Sequence, residues 1–71
     1  MFVTFNPIVQ DFNGGLVLGN PILVNSEHIV SITKHLNRDV HEELESVILL
    51  SNGHSHDSSL TLVKWESLLN G

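Results

Sequence analysis

The chain has 71 residues, with 3 Lys+Arg against 8 Asp+Glu and a formal net charge of -5. That length holds one small domain, residues 1–71, and the acid excess argues against the phosphate backbone of nucleic acid as a partner. With no Cys there is no disulfide and no thiolate metal site, and no apolar run approaches the roughly 18 residues of a membrane span.

The hydrophobic fraction is 41%, built almost wholly from Leu, Val and Ile with no Ala. Branched aliphatics without Ala favour strands over a helical bundle. The mean hydropathy of +0.13 is high for a free-standing domain of this size, so part of the apolar surface is expected to meet another subunit or a protein partner. The opening MFVTFNP has no basic region before its apolar residues and does not read as a secretory signal, which makes the cytoplasm the default expectation.

In chain order, Phe2-Val3-Thr4-Phe5 is a β-rich run ended by Asn6-Pro7, because Pro cannot donate to a ladder. Ile8, Val9 and Phe12 lead to the turn signal Asn13-Gly14-Gly15, then Leu16-Val17-Leu18, then a stop at Gly19-Asn20-Pro21. A hairpin between residues 2–9 and 16–18 is expected, either joining the core sheet or exchanged with a neighbour.

Ile22-Leu23-Val24 is a short strand, and Asn25-Ser26-Glu27-His28 a tight turn whose Asn and Ser side chains bond their own backbone. Ile29–Lys34 has strand character, with Val30 and Ile32 expected on the core face. Residues 37–45 are acidic and form a loop or a helical turn. Ser46–Ser51 is the strongest strand, and its continuous apolar run suggests burial on both faces. Asn52-Gly53 is the best turn signal in the chain, followed by a strand through residues 54–58. At the C-terminus Leu60, Leu62 and Val63 suit a strand, but Leu62, Trp65 and Leu69 stand at helical spacing, which predicts a helix over 61–69. The expected fold is α+β, mostly β: a small curled antiparallel β-meander with a short C-terminal helix.

The parts Ile22–Asn25, His28–Ile32 ("HIVSI"), Ser46–Gly53 ending in Asn-Gly, and Ser59–Leu69 follow one another in a recognisable order. In this the stretch Ile22–Leu69 resembles the small FlbD-like family of flagellar and swarming motility proteins, and similar short bacterial and phage proteins. The chain departs from that plan by about twenty extra residues at its start and by a longer, more acidic loop at 37–45. The resemblance implies the fold and no functional residue.

Enzyme signatures are absent: no Cys nucleophile, no G-x-S-x-G and no phosphate-cradling loop ending in Lys. His54-Ser55-His56-Asp57 is the sharpest local feature. Two His at i and i+2 on a strand share a face, and Asp57 beside them could complete a metal site if His41, Glu42 or Glu43 supplied further ligands. The plainer reading is a solvated hairpin arm, with no cofactor. His28 and His35 flank the 29–34 strand and suit a ligand pocket, an interface or a structural role. Glu42 and Glu43, with Asp39 and Glu45, form an acidic run that a basic partner could meet, or simply a solvated loop. Trp65 is either a ring-stacking residue or a core or interface anchor.

Together these features point to a non-enzymatic small binding protein, a homo-oligomeric regulator or inhibitor that acts by protein–protein contact. The other reading belongs to a different class: a phage-type oligomer that sequesters a small nucleotide-derived signalling ligand at its subunit interfaces, with His side chains and Trp65 converging there.

Overall fold

A computed structural model describes residues 1–36, 41 and 43–70. The protein is mostly β with one short C-terminal helix. The strands are β1 (Phe2–Phe5), β2 (Pro7–Gln10), β3 (Leu16–Leu18), β4 (Ile22–Asn25), β5 (Ile29–Lys34), β6 (Ser46–Leu50) and β7 (Ser55–Ser58), followed by helix α1 (Leu62–Asn70). Every pairing is antiparallel. β1 and β4 form a two-stranded ribbon, and the others form a sheet in the order β3-β2-β7-β6-β5.

The hairpin expected at the N-terminus forms only in its second half. β2 pairs with β3, whereas β1 leaves to pair with β4. The break is at Asn6-Pro7, where the missing proline N–H lets the ladder end and the chain turn from one sheet into the other. Asn6 fixes this corner by donating its side-chain N–H to the Gly19 carbonyl at 3.0 Å. Residues 1–18 therefore belong to the body of the domain, with Val3 and Phe5 in its core. The Asp11 carboxylate closes the β2–β3 turn, accepting from the N–H groups of Asn13 and Gly15 at 2.9 and 2.8 Å.

Between β4 and β5 lies a single 3-10 turn (Ser26–His28), whose first turn Asn25 caps by accepting from the Glu27 N–H at 3.1 Å. β5 then corrects the sequence reading. Its register against β6 shifts between Ile29 and Ser31, so Val30 is an extra residue. The shift carries Val30 outward to 62% exposure, and Ile29 packs with Ile32 against the core instead. The strand β6 also differs from expectation. It lies inside the sheet, between β7 and β5, but only Ser46 and Ile48 are buried, while Leu49 on the opposite face is exposed. The antiparallel sheet is packed fully on one face there, which an uninterrupted apolar run does not reveal.

Asn52-Gly53 makes the β6–β7 turn, with Gly53 at φ 87 donating its N–H to the Leu50 carbonyl at 3.0 Å. The C-terminal helix forms as expected, with Thr61 accepting the Lys64 N–H on its side-chain oxygen at 3.2 Å. The core consists of Val3, Phe5, Val24, Ile48 and Trp65, so the ribbon, the sheet and the helix each contribute to it. Ile22, Leu60 and Leu69 pack around it. Among the described residues no buried side-chain N or O lacks a hydrogen-bond partner, and no helix is long and apolar enough to cross a membrane. Of the expected loop at 37–45, residues 37–40 and Glu42 lie outside the described residues.

Candidate interaction face

The β1–β4 ribbon alternates strictly. Val3 and Phe5, opposite Val24 and Ile22, turn inward; Phe2 and Thr4, opposite Asn25 and Leu23, turn outward. The inner row is buried because it meets Ile48 and Trp65. The outer row is largely uncovered, with Phe2 62% and Leu23 65% exposed.

Beside this row lies an open depression of about 340 Å³, lined by Leu23, Asn25, His28, Leu50, Ser51 and Asn52 together with Val24. It forms where the 3-10 turn meets the β6–β7 turn. Two contacts hold these turns together: Ser51 donates its backbone N–H to the His28 carbonyl at 2.8 Å, and His28 Nδ1 lies 3.2 Å from Ser51 Oγ. Phe2, Leu23 and Leu50 thus supply apolar surface, and Asn25, His28, Ser51 and Asn52 a neutral polar border. An apolar centre with a polar rim is the anatomy of a protein-contact surface.

Of the site residues singled out from the sequence, only His28 belongs to this face. His35 lies elsewhere, with its Nε2 3.1 Å from Asp57 Oδ1 and its backbone N–H donated to the Glu45 carbonyl. That pair ties β7 to the segment leaving β5. His54 is exposed, its N–H donated to Asn52 Oδ1 at 2.9 Å, while His56 is half-buried and edge-on to Phe5 at 6.4 Å between ring centroids. His56 and Asp57 are strand neighbours and so point to opposite faces. Among the described residues no group of three or more His, Asp or Glu is placed to hold a metal ion. Glu43 is exposed, 3.9 Å from His41, and Glu42 lies outside the described residues.

Trp65 is 1% exposed, and its indole meets Phe5 edge-on at 4.9 Å. It is a core anchor, closed to any ring-stacking ligand. The sequence marks Phe2, like Phe5 and Phe12, as a core or dimer contact without distinguishing the two, and does not mark Leu23, because alternation in a four-residue strand does not say which row is covered. The one available signal was charge: residues 1–26 contain a single charged side chain, Asp11.

No family model, curated protein or solved structure matches this chain.

Proposed function

We propose that the protein is a non-enzymatic binding module that self-associates and acts as a small regulator or inhibitor by protein–protein contact. The observation that carries this reading is the outer row of the ribbon, where Phe2 and Leu23 stand exposed beside a neutral, polar-rimmed depression. The alternative, sequestration of a nucleotide-derived ligand, has the depression in its favour, with His28, Asn25 and Asn52 as neutral polar groups around it. It loses Trp65 as a stacking partner, because that ring is buried.

Native mass spectrometry of the purified chain, set beside its denatured mass, tests the proposal. An oligomer of unmodified subunits is the expected result. A monomer at every concentration overturns self-association, and an oligomer with extra mass lost on denaturation decides for ligand sequestration.

A further inference from the structure

The five-stranded sheet has two edges, and they differ. β5 carries the bulge at Val30, ends in Lys34 and is in contact with α1, three features that blunt an edge. β3 carries none of them. It is Leu16-Val17-Leu18, uncharged and regularly paired, with β2 as its one strand neighbour.

The pattern of hydrogen bonds says which groups of β3 are open. At one end the Gly19 N–H donates to the Pro7 carbonyl at 2.7 Å, and at the other the Asp11 N–H donates to the Gly15 carbonyl at 2.9 Å. Antiparallel ladders alternate bonded and non-bonded pairs, so Val17 bonds to Val9, its register partner, while Leu16 and Leu18 turn their N–H and C=O groups away from β2. Those outward groups have no partner among the described residues.

We infer that β3 pairs with the β3 of a second copy of this chain, antiparallel about a twofold axis at Val17, joining two five-stranded sheets into one. This inference rests on the self-association read above and assigns it to the β3 edge rather than to the outer row of the ribbon. The register is self-complementary: Leu16 of each copy exchanges both its N–H···O bonds with Leu18 of the other, so all the open groups of the two edges are satisfied. The two Val17 side chains meet as the close, non-bonded pair at the axis, and Val9 of each copy extends the same row.

Charge permits this approach. Each copy carries a net charge of -5, yet the segment from Phe12 to Ser26, which contains β3, has no charged side chain. Along β3 two acidic copies therefore meet without a facing charge on the strand itself, the nearest being Asp11 in the β2–β3 turn. A stable dimer buries roughly 800 Å² on each partner, more than a three-residue strand pair provides. The remainder is available beside the edge: Val9, Val17, Leu18 and Phe12 are all exposed, and Leu18 lines a depression of about 280 Å³ with Leu68 of α1.

Charge-swapped variants test this. Val17→Lys and Val17→Glu each place two like charges at the twofold axis. In sedimentation velocity the wild-type chain is expected to be a dimer, each variant is expected to dissociate at least about tenfold more readily, and an equimolar mixture is expected to recover the dimer. In the wild type, exchange of the Leu16 and Leu18 amide hydrogens is expected to slow as protein concentration rises, a readout independent of how the variants fold. A wild-type dimer that both variants form equally well, or a mixture that does not recover it, overturns the edge pairing and leaves self-association standing on another surface. So does a dimer whose Leu16 and Leu18 amides exchange at the same rate at every concentration. A wild-type chain that is monomeric throughout overturns both.

Discussion

The indole of Trp65 and the hydroxyl of Ser46 meet in the middle of the core, with Nε1–H donating to Oγ at 3.1 Å. The hydroxyl in turn donates to the Leu60 carbonyl at 2.7 Å. A serine at the start of β6 thereby links that strand to both the helix and the segment leading into it. Ser46 and Trp65 are 0% and 1% exposed, so no water replaces either bond.

Ser46→Ala should therefore destabilise the domain by about 2 kcal/mol, because it leaves a buried indole N–H and a carbonyl without partners. Trp65→Ala should cost about 3–5 kcal/mol, enough to unfold much of a domain with so small a core. Urea denaturation followed by far-UV circular dichroism measures both.

The bulge in β5 makes a contrasting pair of variants. Val30→Thr should change stability by no more than about 0.5 kcal/mol, because the side chain is exposed. Ile32→Thr should cost about 1–2 kcal/mol, because it places a hydroxyl against the core. Equal effects in the same denaturation experiment would contradict the register shift.

Gly53 has φ 87 and nothing within 4 Å of the position a Cβ would take. A substitution there meets backbone strain alone. Gly53→Ala should cost about 1 kcal/mol, and Gly53→Asn less, since Asn tolerates the left-handed region. Thermal unfolding of the two variants side by side separates these values.

Leu23→Thr tests the outer row of the ribbon. It places a β-branched residue at an exposed strand position opposite Thr4, so stability should stay within about 0.5 kcal/mol. Retention on a hydrophobic-interaction column should fall, because the variant removes one of the two large apolar side chains of that row. Unchanged retention would show that Leu23 adds nothing to the sticky surface of the protein.

Much of the fold is local and was legible from the chain. Asn25 capping its turn, Asn52-Gly53 reversing the strands, Thr61 capping the helix and the strand runs at 22–24, 29–34 and 46–51 follow from side chains acting on their own backbone. Pairing is not local. That Phe2–Phe5 belongs with Ile22–Asn25, that Val30 is the extra residue of a bulge, and that Leu49 is exposed while Ile48 is buried depend on which strand lies alongside and which face is covered. The same limit governed the candidate site residues. The sequence identified polar side chains that draw attention, His35, His54, His56 and Asp57, but tertiary structure pairs His35 with Asp57, turns His56 toward Phe5 and leaves His54 exposed, so they form no common site. Composition alone determined that an apolar, acidic chain of this size would be a small β-rich domain. Only the packing of the ribbon over Ile48 and Trp65 decided that Phe2 and Leu23 would be left outside, because alternation sends half of each strand inward and the tertiary contacts choose which half.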